Sequence, residues 1–171
     1  DGNIAIGRNT LCSNTTGCQN VVVGCSSMCR NTAGECNTVV GTYAMCSNTR
    51  GCWNTAIGYG ALESNDVGEY NTSLGYRSLF ANTSGDYGIG IGRQALYTNT
   101  TGTLHKNYGG SGNEAIGRQA LACNTEGNCN QAVGYRAAFC NTTGCYNTTM
   151  GCYALYANTT AGCNVAIGNG A

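Results

Sequence analysis

Aligned on the Asn that precedes each short apolar run, the chain falls into units of 17 residues. The units open at Asn3, Asn20, Asn37, Asn54, Asn71, Gly88, Asn113, Asn130, Asn147 and Asn164. One step is 25 residues, a unit of 17 plus an insertion of 8, His105–Gly112. Two leading residues, nine units, the insertion and a final partial unit account for all 171 residues. The fourth place of the unit is always large and apolar: Ile6, Val23, Val40, Ile57, Leu74, Ile91, Ile116, Val133, Met150 and Ile167. The fifth is always Gly, and the ninth is Leu or Met except at Ala138. The twelfth is Asn in every full unit: Asn14, Asn31, Asn48, Asn65, Asn82, Asn99, Asn124, Asn141 and Asn158.

A repeat this short is too small for a helical hairpin but long enough for one coil of a narrow parallel β-solenoid. Equivalent places then stack ~4.8 Å apart along the axis. The predicted fold is all-β, a parallel β-solenoid of about ten coils forming one domain over 1–171, roughly 45–50 Å long, with an inserted loop at 105–112. The fourth and ninth places are expected to form two inward apolar ribs, with small residues at places three and eight between them. The invariant Gly marks a corner that needs positive φ or close backbone approach. The twelfth-place Asn side chains are expected to join in an amide ladder from coil to coil. A disordered low-complexity chain would not hold an apolar residue at one phase through ten units.

Composition agrees with this reading. The chain has 27 Gly, 22 Asn, 21 Thr and no Pro. Gly, Asn and Thr are poor helix formers, which excludes a helical bundle. The lack of Pro suits coils that must each donate backbone N–H groups to a neighbour. Eight basic and eight acidic residues balance, and charged residues are only 9%. That leaves no electrostatic footprint for nucleic acid and no stretch able to span a membrane. Asp1 opens the chain without a basic, apolar leader, so a signal peptide is expected to have been removed or to lie elsewhere.

The stretches Asn54-Thr-Ala-Ile-Gly58, Asn71-Thr-Ser-Leu-Gly75 and Asn113-Glu-Ala-Ile-Gly117 resemble the N-S-V-A-I-G signature in the head repeats of trimeric autotransporter adhesins. The fuller string from Asn54 to Leu62, with the Asn-Thr-Thr-Gly that follows in other units, also resembles repeats of phage and viral tail-fibre-like proteins. The resemblance implies a left-handed β-roll, often assembled from three chains, serving as a fibre shaft or adhesive head.

Thirteen Cys are grouped rather than scattered. Cys12/Cys18, Cys29/Cys36, Cys46/Cys52, Cys123/Cys129 and Cys140/Cys145 flank the Asn-Thr corner of their own units, and Cys152/Cys163 could pair in another. Their joint presence or absence per unit favours bridges within a coil, with Cys25 left over. Bridges between stacked coils, such as Cys12 to Cys29, remain the alternative, because the ~4.8 Å coil spacing falls within the Cα separation disulfides tolerate. Either pairing places the chain in an oxidising, extracellular setting. One His and no Cys-x-x-Cys pair argue against a metal site, and no cofactor is expected. N-glycosylation sequons occur at Asn14, Asn71, Asn82, Asn99, Asn141, Asn147 and Asn158, although the repeat itself generates most of them.

No nucleophile–base–acid set converges, so an enzyme is not expected. Gly88-Ile-Gly-Ile-Gly-Arg93 has the look of a phosphate-binding turn but runs in phase with the repeat. The expected function is a structural or adhesive extracellular fibre element that stacks end to end or homo-oligomerises. Its expected partners are copies of itself and a surface glycan or receptor. The absence of a capping helix, Pro or charge cluster at either end of the repeat favours stacking. A disulfide-braced ice-binding solenoid and a viral tail-fibre receptor-binding segment are the alternatives. The first rests on a Thr rank at place thirteen (Thr15, Thr32, Thr49, Thr83, Thr100, Thr125, Thr142, Thr159). Places six and seven, rich in Tyr, Arg and Gln, form a candidate contact surface. The inserted loop, with His105 and the only Lys, Lys106, is another candidate contact.

Overall fold

Each unit contributes one three-residue strand. In the computed structural model, which describes residues 2–100 and 112–171, the strands are β1 (Ile4–Ile6), β2 (Val21–Val23), β3 (Thr38–Val40), β4 (Thr55–Ile57), β5 (Thr72–Leu74), β6 (Ile89–Ile91), β7 (Glu114–Ile116), β8 (Gln131–Val133), β9 (Thr148–Met150) and β10 (Val165–Ile167). They form one ten-stranded sheet in chain order, and every pair is parallel. This is the expected β-solenoid. The register is 17 residues throughout, as in Ile57↔Leu74, except at the insertion, where Ile91 pairs with Ile116. Apart from Gly112, the inserted loop lies outside the described residues.

Pairing continues beyond the strands. Met45 N–H donates to Ala61 O at 3.0 Å, Ser47 N–H to Glu63 O at 3.0 Å, and Trp53 N–H back to Glu35 O at 3.1 Å. Most of each coil is therefore laddered to its neighbours, and a Pro would delete a donor at nearly any place.

The fifth-place Gly follows the strand at φ between +124° and +144°. A Cβ on Gly58 would stand 2.5 Å from the Gly75 carbonyl oxygen of the next coil, so both conformation and proximity demand Gly there. Three further corners are left-handed and are Gly in only a few units, as at Gly60 and Gly170 of place seven, so the repeat did not announce them. Arg77 (φ 48°) at place seven, Leu79 (φ 50°) at place nine and Tyr70 (φ 57°) at place seventeen are examples. Left-handed backbone is unfavourable by roughly 1–2 kcal/mol per L-residue; here the ladders on both sides hold it.

The inward and outward faces differ from the sequence expectation. Places three and nine point inward, and the fourth-place rib points out. Val22, Val39, Ala56, Ala115 and Ala132 at place three are fully buried, as are Met28, Met45, Leu62, Leu79, Leu96 and Leu121 at place nine. By contrast Ile57 is 37% exposed, Met150 51% and Ile167 66%. Successive side chains of a strand alternate in direction, so once place three enters the coil, places two and four must leave it. The ninth-place Leu or Met fills the narrow interior, and only Ala, Val, Ser, Thr or Gly fits opposite.

Leu79→Ala is therefore expected to destabilise the fold by about 2–5 kcal/mol, whereas Ile57→Ala should change stability by only about 0.5 kcal/mol. Urea unfolding of dilute protein measures both, and equal losses would contradict the assignment of faces.

Candidate functional site

Because every residue sits over its equivalent 17 places away, side chains of one type form continuous columns, and these columns are the candidate sites. Two run inside the coil. In the predicted one, the Asn31 side-chain amide donates to Asn14 Oδ1 at 2.7 Å, Asn65 to Asn48 at 2.9 Å, Asn124 to Asn99 at 3.1 Å and Asn158 to Asn141 at 2.8 Å. Asn48, Asn82 and Asn141 continue the series in the same way. The other was missed. The first-place Asn used only for alignment also ladders, with Asn37 Nδ2 donating to Asn20 Oδ1 at 3.0 Å and Asn130 Nδ2 to Asn113 Oδ1 at 3.2 Å. At Gly88 the backbone N–H alone takes up Asn71 Oδ1, at 2.8 Å. The signal for this ladder in the sequence was its recurrence: Asn stands at place one in every unit but that of Gly88.

Both ladders converge on the Gly at place fifteen. Gly34 O accepts from Asn20 Nδ2 at 2.9 Å and from Asn31 Nδ2 at 3.0 Å. A Cβ on Gly34 would stand 2.5 Å from Asn31 Oδ1. The sequons fall on these ladders. Asn71, Asn82, Asn99, Asn141 and Asn147 are buried, and Asn71 Nδ2 already gives both hydrogens, to Asn54 Oδ1 and Gly85 O. A glycan there would remove a ladder donor. Asn14 and Asn158 lie on the same ladder, half-buried.

Outside, the thirteenth-place Thr hydroxyls brace coils rather than standing free. Thr15 Oγ1 donates to Thr32 O at 2.9 Å and Thr83 Oγ1 to Thr100 O at 2.8 Å, while Thr49 donates to the Asp66 carboxylate.

No sulfur–sulfur bond joins any of the expected pairs Cys12–Cys18, Cys29–Cys36, Cys46–Cys52, Cys123–Cys129, Cys140–Cys145 and Cys152–Cys163 in this structure. Stacking sets several of the thiols against groups in the adjoining coils. Cys29 Sγ is 3.1 Å from Cys46 Sγ, Cys12 Sγ donates to Cys29 O at 3.2 Å and Cys36 Sγ donates to Gln19 Oε1 at 3.1 Å. Cys52 Sγ accepts from Glu35 N–H and Cys145 Sγ from Asn128 N–H, both at 3.3 Å. Burial, then the Cys29 thiol, pushes Cys46 up to about 12. Burial, with Cys140 facing it, also raises Cys123. Cys25 moves the other way, lowered by hydrogen bonds from the Arg8 guanidinium and from Ser26.

The remaining columns are aromatic and cationic. Trp53, Tyr70 and Tyr87 stack at 5.0 Å between ring centres, within 3° of parallel; Phe80 stacks on Tyr97 and Phe139 on Tyr156. Places six and seven bring Tyr76, Arg77, Arg93, Gln94, Arg118, Gln119, Tyr135 and Arg136 together over four consecutive coils, the predicted Tyr/Arg/Gln surface. Among the described residues, no group of three or more His, Cys, Asp or Glu side chains could hold a metal ion, and no helix is long and apolar enough to cross a membrane. His105 and Lys106 lie outside the described residues.

The thiolate is the nucleophile, so Cys25 should be alkylated first at neutral pH, and Cys46 labelling should rise only as pH climbs towards 12. Mass spectrometry of a timed iodoacetamide reaction across pH reads this order. Under mild oxidation the first bridge is expected between Cys29 and Cys46. Non-reducing peptide mapping that recovered Cys46–Cys52 instead would restore the within-coil pairing.

Compared with known proteins, the chain matches no family model, no curated protein and no solved structure.

Proposed function

We propose that this chain is a non-enzymatic extracellular fibre element, structural or adhesive, that associates side by side with copies of itself through the outer face of its sheet. The observation that carries this reading is the outward fourth-place rib. It presents ten large apolar side chains in one unbroken column, nine of them exposed and Val23 half-buried. Ile4, Val21 and Val165 at place two widen it. Monomeric proteins rarely leave a contiguous apolar strip of this kind to water.

The dimensions bear on the geometry of association. Ten rungs at ~4.8 Å, two columns wide at ~3.3 Å per residue, make a strip on the order of 300–450 Å². A stable two-chain interface buries about 800 Å² per partner. A single strip facing one partner falls short of that. Three ribs meeting on a common axis give each chain two neighbours, the arrangement that the resemblance to trimeric adhesin heads also suggests. The extracellular setting remains the reading of the heavy Cys usage.

Ice binding stands second, on one observation: Thr38, Thr55, Thr72 and Thr148 occupy place two beside the rib, giving Thr-x-aliphatic pairs on the sheet face. Ile, Val, Glu and Gln interrupt that column in the other coils.

Sedimentation velocity of the wild type and of Ile57→Asp/Ile116→Asp tests the first reading. The wild type is expected to sediment as an oligomer and the variant as a folded monomer. A wild type that stays monomeric at high concentration and produces thermal hysteresis would replace self-association with ice binding.

A further inference from the structure

The place-six and place-seven columns carry a second surface, separate from the apolar rib. Across four consecutive coils, place six reads Tyr76, Arg93, Arg118, Tyr135 and place seven reads Arg77, Gln94, Gln119, Arg136. The patch is symmetric in composition: two central Arg are bracketed by Tyr, and two central Gln by Arg. One guanidinium is thus set on each of four successive rungs. In a chain with only eight basic residues, half of them gather here.

These cations are held in place by rings. The Arg77 guanidinium lies 5.5 Å from the Tyr76 ring centre and 5.0 Å from Phe80, and Arg93 lies 5.7 Å from Tyr76. Arg118 lies 5.4 Å from Tyr135, and Arg136 is 5.3 Å from both Tyr135 and Phe139. Such contacts orient a guanidinium without consuming its hydrogen-bond donors. The donors are largely unspent. Arg136 Nε donates to Gln119 Oε1 at 2.8 Å, and Gln119 Nε2 donates to Gln94 Oε1 at 3.3 Å. Arg77 Nε is buried with no partner. Among the described residues no carboxylate forms an ion pair with any of the four; Glu63 acts on Arg77 only at longer range. Like charges stacked at coil spacing repel one another, and an anion laid along the column would relieve that repulsion.

We infer that the Tyr76–Arg136 patch binds a linear anionic polysaccharide, with sulfate or carboxylate groups on successive sugars placed against successive Arg. A pyranose residue and a coil are of nearly equal length, so charge can stay in step over four rungs. The Gln amides suit sugar hydroxyls, and the Tyr rings suit the apolar faces of a sugar. Duplex nucleic acid fits less well, because its phosphates advance ~3.4 Å per residue along each strand against the ~4.8 Å rung spacing. The inference rests on the adhesive part of the reading above, but uses a different face.

The test is binding of the full chain to immobilised sulfated dextran, a polyuronate, neutral dextran and a single-stranded oligonucleotide, at physiological and raised salt. One or both polyanionic sugars are expected to bind, with affinity that falls as salt rises; neutral dextran should not bind. Arg93→Gln/Arg118→Gln should weaken binding at least tenfold with an unchanged circular dichroism spectrum. Arg30→Gln/Arg50→Gln removes the same charge elsewhere and should change binding less than twofold. The comparison of the two polyanions tells sulfate from carboxylate recognition. Failure of both to bind, equal losses in the two double variants, or equally tight oligonucleotide binding would overturn the inference. Loss of self-association in Arg93→Gln/Arg118→Gln would assign the patch to a neighbouring copy instead. Loss of self-association in Ile57→Asp/Ile116→Asp with sugar binding intact separates this surface from the apolar rib.

Discussion

The carbonyl of the Gly at place fifteen is the point on which this solenoid is organised. It receives one amide from the first-place Asn and one from the twelfth-place Asn of its own coil, as Gly51 O does from Asn37 and Asn48. The oxygens and remaining hydrogens of those Asn side chains run to the neighbouring coils. Two polar ladders and the backbone ladder therefore share one register. A slip by a single residue would leave buried amides without partners, and each orphaned group costs about 1–3 kcal/mol. The penalty recurs in every coil, which is why the phase of the repeat resumes after the insertion between β6 and β7, with Ile91 over Ile116 and Asn124 bonded to Asn99. The same convergence crowds that Gly, since a Cβ would meet the Asn oxygen beside it and the next coil's carbonyl. The one Ala at this place, Ala161, lies in the last full coil, where it still accepts from Asn147 and Asn158.

A narrow coil with two amide columns inside has little room for hydrocarbon. One Leu or Met in nearly every coil and the small residues at places three and eight, such as Ala56 and Ala61 beside Leu62, make up the apolar core. The polar ladders thus do work that a larger domain assigns to apolar burial, and the remaining large aliphatics are displaced to the surface. The exposed rib follows from the thinness of the interior. The cation–aromatic patch follows from the same stacking: a column of identical rungs concentrates whatever side chain a place carries, whether Arg over Tyr or thiol over thiol.

The repeat length, the number of coils, the parallel topology and the corner Gly were legible in the sequence because they depend on phase alone. Any residue recurring every 17 places must stack once the chain coils, and only Gly fits a corner at φ near +130° with a neighbouring backbone against it. The twelfth-place ladder was legible for the same reason. The Tyr/Arg/Gln surface was legible as a set of places, but its unpaired charge and its ring contacts were not.

Direction was what the tertiary structure alone decided. Residue size suggested that Ile57 and its equivalents face inward, yet strand alternation and the volume taken by Leu62 turn them out. The paired pattern of Cys within units suggested bridges inside a coil; only the coil shows that Cys29 also stands against Cys46 in the next coil, at 3.1 Å between sulfurs. A one-dimensional pattern fixes which residues share a column. Which side of the wall a column faces, and which column lies beside it, depends on the cross-section of the coil, set by three left-handed corners at Tyr43, Met45 and Trp53 and their equivalents, residues whose types carry no preference for that conformation.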